Sequence, residues 1–300
     1  MAMIDSTVEA LLRRVSETTA RRGELRDEQR VRLHRLIAGA AGATGPAYTD
    51  PMQRPPFFMS GLRAAPVHAG VLPDTVAALE KSYGDIRADL ERVARVEFGT
   101  EPQNAELARV GRWGEYLFYR EGYVLHDHVE ACPSVARLLQ ELCGLCYPFG
   151  TVSFSSLGPA SRVAPHGASH NLRLRLHLGL EVPDSCGYRF GRESGRWQEG
   201  RVTIFDDSFT HEVWNESGVP RVVLICDFWH PDLEQAEIDS LRDMMRMIQT
   251  EFPEFARSLR LPPPFGDSAD EFFSAPWSAS RSASPRVTPE SAVSERRLAR

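Results

Sequence analysis

Three histidines and two arginines crowd into the stretch "APHGASHNLRLRLHLGLEV", residues 164–182. His166 and His170 stand four apart, as zinc-binding histidines do on a helix. That motif, however, needs a glutamate after the first histidine as general base, and Gly167 occupies the place. Pro165 and Gly167 also disfavour a helix. Leu172, Leu174, Leu176, Leu178 and Leu180 alternate without a break, which predicts a strand from Asn171 to Val182. Alternation sends the leucines to one face of a sheet and Arg173, Arg175, His177 and Gly179 to the other. Two readings of that polar face stand side by side. It is the solvated outer face common in antiparallel sheets, or it lines a barrel interior that binds an anion, since a guanidinium fork pairs with a carboxylate through two hydrogen bonds.

Further along, "IFDDSFTHEVWN" places His211 in a polar turn after a strand, and Arg221 opens another strand ten residues later. Asp206 and Asp207 precede this histidine, either to orient it or only to shape the turn. His230 in "WHPDL" reads as structural. Two other groupings imitate metal sites. His126, His128 and Cys132 lack a fourth ligand at zinc spacing. The pair Cys143–Cys146 follows an apolar helical stretch with no strand before it, so it reads as buried reduced thiols rather than a redox centre.

The elements that must position these residues change character along the chain. Residues 5–40 carry a helical period, with Val8, Leu11, Leu12 and Val15 and then Leu33, Leu36 and Ile37. A segment rich in glycine and proline follows, "GATGPAYTDPMQRPPFF". Asp74 is placed to cap a helix running to about residue 96, and Pro133 to open another. From residue 149 the period becomes two. "TVSFSSL", "NLRLRLHLGLEV", "GYRFG", "RVTIFDD" and "RVVLICDFW" are short strands between turn signals, the pattern of an antiparallel sandwich or barrel. Asp232 begins a last helix. Residues 266–300 are rich in serine, proline and arginine without periodicity, which predicts disorder, although Phe272, Phe273 and Trp277 form a short aromatic cluster.

The bulk properties exclude several classes. The 300 residues are 42% hydrophobic and 25% charged, with a net charge of −6 and a pI near 5.9. No basic field for nucleic acid and no apolar run of membrane length is present. Five cysteines at irregular spacing do not form a disulfide framework. The first residues carry Asp5 and Glu9 and lack the apolar core of a signal peptide, so a cytoplasmic location is expected.

The segments "FSSLGPASRVAPHGASHNLRLRLHLGLEVP", "RWQEGRVTIFDDSFTHEVWN" and "RVVLICDFWHPDL" resemble the aspartyl/asparaginyl β-hydroxylase family of Fe(II)- and 2-oxoglutarate-dependent oxygenases. The resemblance spans roughly residues 54–250, preceded by an N-terminal helical segment (1–45) and followed by the tail. It implies a mainly β fold with flanking helices around a double-stranded β-helix (jelly-roll or cupin-like) core. It implies His166 and His211 as ligands of Fe(II), and Ser155, Arg175, His177 and Arg221 as contacts of the 2-oxoglutarate co-substrate, with dioxygen as oxidant. Most such oxygenases add a carboxylate ligand two residues after the first histidine. Here Ala168 stands there. The family resembled also lacks that carboxylate, and water is expected to fill the position. Arg173 is then a candidate substrate clamp, and His170 a substrate contact or third ligand.

The implied reaction is hydroxylation of an unactivated C–H bond. Two alternatives accompany it: a halogenase, in which chloride takes the position vacated at Ala168, and a non-catalytic binding barrel. The family acts on aspartyl or asparaginyl side chains and on lipid acyl chains. The expected substrate here is an amino acid, a peptide or a carrier-bound small molecule, with no nucleic-acid or membrane partner.

Overall fold

The structure is a computed structural model that describes residues 6–259 apart from Arg22, Glu101, Glu121 and residues 143–149. The Cys143–Cys146 pair, the tail over 266–300 and its aromatic cluster lie outside the described residues.

The N-terminal helical stretch is two helices, α1 (Ser6–Arg21) and α2 (Asp27–Ala40). The chain turns at Arg26, whose backbone is extended and whose amide donates to Oε1 of Gln29. After β1 (Val67–His68) the helix expected from Asp74 is likewise two, α3 (Pro73–Lys81) and α4 (Tyr83–Arg92). Leu72, in the left-handed region, rather than Asp74 precedes the first turn, and Pro73 occupies its opening position, where a missing N–H costs nothing. Then come α5 (Pro102–Leu107), β2 (Ala108–Val110), β3 (Trp113–Arg120), β4 (Tyr123–Val124), α6 (His126–Ala131) and α7 (Pro133–Glu141).

Eight strands follow: β5 (Thr151–Leu157), β6 (Ser161–His166), β7 (Arg173–Glu181), β8 (Cys186–Phe190), β9 (Glu193–Gly195), β10 (Val202–Phe205), β11 (His211–Asn215) and β12 (Arg221–Trp229). The chain closes its described part with α8 (Gln235–Glu251) and α9 (Pro253–Ser258). The last long helix thus begins after Glu234 rather than at Asp232, whose carboxylate accepts the Arg63 amide at 2.8 Å.

The strands form two antiparallel sheets. One has the order β1-β10-β7-β12-β5-β3-β4, the other β2-β6-β11-β8-β9. From β5 to β12 the chain crosses between the sheets at every step except the β8–β9 hairpin. This is the connectivity of a double-stranded β-helix, mainly β with flanking helices, as the resemblance implied. No described helix is long and apolar enough to cross a membrane.

The alternation in β7 acts in the sense opposite to a solvated outer face. Leu174, Leu176, Leu178 and Leu180 belong to one buried core with Leu79 of α3, Ile86 and Leu90 of α4 and Leu139 of α7. The leucines therefore face the helices outside the barrel, each contributing about 1.5–3 kcal/mol by burial. The arginine and histidine face is left to line the interior. A second core joins α1, α2 and α8 to Leu172 and Trp229 at the end of the barrel, fastened by an ion pair between Arg32 and the buried Glu237.

Candidate active site

His166 ends β6 and His211 opens β11, and the two residues are register partners across the smaller sheet. Their ring centroids lie 4.1 Å apart. Each Nδ1 meets a backbone carbonyl two residues upstream, Ala164 for His166 and Phe209 for His211, both at 2.8 Å. A carbonyl only accepts, so each Nδ1 carries the proton and each Nε2 keeps its lone pair. Burial lowers both imidazoles, His211 to about 3, so they are neutral at pH 7 and able to ligate. Phe190 stacks on His211 at 4.4 Å and fixes its plane. His211 is thus the first residue of a strand, not of a turn. The groups that orient the two rings are backbone carbonyls rather than Asp206 or Asp207.

Those two aspartates do other work. Asp206 holds the turn, accepting from the Gln53 side-chain amide at 2.8 Å and from the Ser208 amide and hydroxyl. Asp207 is an ion-pair partner. Arg173 Nη2 lies 2.9 Å and Arg175 Nη1 3.4 Å from its Oδ2. Asp227 of β12, fully buried, completes the group, taking Arg175 through Nε (2.7 Å) and Nη2 (2.8 Å) and Arg173 through Nη1 (3.0 Å). Burial would raise the Asp207 carboxyl, but the two guanidinium groups hold it well below the usual range. Arg173, expected at the prime substrate, and Arg175, expected at the co-substrate, are therefore neutralised by two carboxylates.

Breaking such a buried group by removing one partner costs about 3–5 kcal/mol. Asp227→Ala is expected to lose stability in that range in urea denaturation, and a loss under 1 kcal/mol would show that the arginines find other partners.

Arg221 differs. It is buried, yet its Nε and Nη1 have no hydrogen-bond partner among the described residues. Its guanidinium lies 4.6 Å from the centre of the Trp197 ring, and burial pushes its pKa down to about 10. Trp197 Nε1–H donates to Nδ1 of His177 at 3.1 Å. An indole only donates, so His177 carries its proton on Nε2, which is buried and also unpartnered among the described residues. Burial, and after it the charges of Arg221 and Arg175, hold the His177 imidazole well below the usual histidine range. Ser155, on the adjacent β5, accepts from Trp113 Nε1–H at 2.9 Å, which leaves its hydroxyl proton available. Arg221, His177 and Ser155 are thus interior donors, and ring contacts through Phe205 and Phe190 join His177 to His211.

The wall that Trp197 supplies depends on Gly179. The loop after β9 crosses β7 there, Gly200 donating to the Gly179 carbonyl at 2.9 Å, and a Cβ on Gly179 would overlap the Gln198 backbone oxygen. Gly179→Ala is expected to displace this loop at a cost of about 1–3 kcal/mol and to shift the tryptophan emission. An unchanged spectrum and melting temperature would contradict it.

His170 is buried, with Nδ1 accepting the Leu172 amide at 3.3 Å. Among the described residues no group of three His, Cys, Asp or Glu side chains is arranged to hold a metal, so His170 does not complete a triad and the histidine pair stands alone. His128 stacks on Tyr116 and meets the Leu117 carbonyl, apart from any metal grouping. Sequence reasoning did not single out Trp197, Phe190 or Asp227. A lone acid inside the apolar run "RVVLICDFW" was the one available signal.

The fold is a double-stranded β-helix that carries a histidine pair and, among the described residues, one buried interior guanidinium without an ion-pair partner. The chain belongs to the aspartyl/asparaginyl beta-hydroxylase family, whose sequence profile matches residues 80–231. It is 32% identical over 196 residues to the aspartyl/asparaginyl beta-hydroxylase of Mus musculus, covering 63% of this chain and 26% of that protein. It is 33% identical over 213 residues to the ornithine lipid ester-linked acyl 2-hydroxylase of Rhizobium tropici, covering 62% of this chain and 74% of that protein. The chain spans about a quarter of the length of the mammalian relative. Among solved structures, a 2OG-Fe(II) oxygenase family oxidoreductase from Burkholderia pseudomallei superposes with a TM-score of 0.38 at 14% identity, over 54% of this chain and 93% of that one. Nothing in these relatives supports the halogenase alternative.

Proposed function

We propose that this chain is an Fe(II)- and 2-oxoglutarate-dependent oxygenase that hydroxylates an unactivated C–H bond of an amino-acid, peptidyl or carrier-bound substrate. The observation that carries this reading is Arg221. A buried guanidinium without a carboxylate is costly unless an anion joins it. This one sits near a proton-bearing imidazole, His177, which ring contacts through Phe205 and Phe190 join to His211. A ligand that is anionic at one end and metal-binding at the other suits the two features together, and 2-oxoglutarate has that chemistry.

The residues fit the groups. His166 and His211 would hold iron through Nε2. Arg221 and the Ser155 hydroxyl would take the distal carboxylate, and the His177 Nε2–H would donate to the co-substrate between them. Iron with 2-oxoglutarate and dioxygen supplies the power to oxidise an unactivated carbon. The protein's own contribution is position. Asp207 and Asp227 keep the Arg173 and Arg175 wall neutral, so Arg221, the interior cation without an ion pair among the described residues, selects the co-substrate. Retention of both histidines and of Arg221 speaks against a barrel reduced to binding.

The test is succinate release from 2-oxoglutarate, with and without Fe(II), against a panel of amino acids and short peptides. Release that requires iron and rises with a panel member is the expected result. No iron-dependent release, together with no binding of 2-oxoglutarate, would overturn the assignment.

A further inference from the structure

A cleft of 390 Å³ opens between the two histidine loops, lined by Gly167 and Ala168 directly after His166 and by Thr210 directly before His211. Its size suits a residue-sized group. A third segment crosses the same opening, residues 52–57. Thr210 donates its amide to the Met52 carbonyl at 2.7 Å, and Gln53 pairs with Phe209. On the other side Phe57 donates to the Ser169 carbonyl at 3.0 Å and pairs with His170. The backbone is thus fastened to both histidine loops, and Arg54 lies between the fastenings.

Arg54 is exposed and, among the described residues, is the one charged residue of the cleft lining. Its guanidinium rests 4.9 Å from the centre of the Tyr48 ring and makes one long bond, from Nε to the Pro51 carbonyl at 3.4 Å. It makes no ion pair among the described residues, unlike Arg173 and Arg175 inside the barrel. The rest of the lining is hydroxyl-rich, with Ser169, Ser208, Thr210 and Ser258, and carries no acid among the described residues. A cation held over such a polar opening attracts an anion, and a guanidinium takes carboxylate or phosphate through two hydrogen bonds.

We propose that Arg54 is a specificity-determining residue that binds an anionic group, carboxylate or phosphate, on the prime substrate as it enters the cleft between the His166 and His211 loops. The proposal rests on the oxygenase reading for the word substrate, but the binding itself does not depend on it. An uncharged acyl chain is the wrong chemistry for this opening, because the lining offers a cation and hydroxyls where a chain needs continuous apolar wall.

The experiment is calorimetric titration of the full chain, without iron, with four blocked tripeptides whose central residue is aspartate, asparagine, phosphoserine or serine. The acidic member of each pair is expected to bind at least tenfold more tightly than its neutral partner, and the larger of the two acidic affinities tells carboxylate from phosphate. Arg54→Ala should remove that preference and Arg54→Lys should restore part of it, both with a melting temperature close to the parent's. Equal binding of acidic and neutral peptides, acidic binding that survives Arg54→Ala, or no binding of either acidic peptide would overturn the proposal. A parallel titration with 2-oxoglutarate separates the two ideas: if it fails while the acidic peptides bind, the oxygenase reading falls and the anion site stands.

Discussion

Replacing Arg221 by alanine should raise the 2-oxoglutarate dissociation constant a hundredfold or more. The guanidinium is 2% exposed, stacked on Trp197 and without a carboxylate among the described residues, so a bound dicarboxylate would be its counter-charge. Removing one partner of a buried charge pair costs about 3–5 kcal/mol, and each 1.4 kcal/mol is about tenfold in affinity. The same burial predicts the opposite sign for the ligand-free protein. There the cation is uncompensated, and burial already lowers its pKa to about 10. Arg221→Met, of similar length and uncharged, should therefore leave the free protein as stable as the parent or more so, while binding is lost. Calorimetric titration and thermal unfolding of the two variants read both effects. An affinity within threefold of the parent would show that Arg221 serves the packing of Trp197 and not the co-substrate.

His166→Ala and His211→Ala should each abolish iron binding. Most sites of this type present two histidines and a carboxylate, whereas this one presents two histidines and Ala168. With one histidine removed a single protein ligand remains. The missing carboxylate also predicts that iron binds the parent weakly until 2-oxoglutarate adds its own donors. An anaerobic titration with Fe(II) and 2-oxoglutarate should develop a metal-to-ligand charge-transfer absorption in the parent and in neither variant. Its full retention in either variant would remove that histidine from the site.

Some of the site was legible because its residues obey local rules. The alternation in β7 separates leucines from arginines and histidine at period two, and that pattern alone puts Arg175 and His177 on one face. The two strands that carry His166 and His211 were not legible as strands. "SRVAPH" contains a proline and "HEVWN" has five residues, so neither shows a clear alternation, yet each is held by ladders to its neighbours, β6 to β2 and β11, and β11 to β6 and β8. The helix break at Ser82 was hidden for the converse reason, since the apolar period of Leu79, Tyr83 and Ile86 continues across it while the backbone turns.

The sequence by itself determined the β-rich second half and the separation of leucines from arginines and histidine along β7, because residue type and period are local properties. It left open which face of β7 is inside. That was decided by tertiary packing. Helices α3, α4 and α7 cover the leucine face, so the charged face has only the interior to line. There the carboxylates of Asp207 and Asp227, distant in the chain, neutralise Arg173 and Arg175. Arg221 is left without an ion pair among the described residues, since neither strand beside it brings it an acid. Which arginine is neutralised and which is free is a property of strand neighbours, and strand neighbours are fixed by the sheet order rather than by any short stretch of chain.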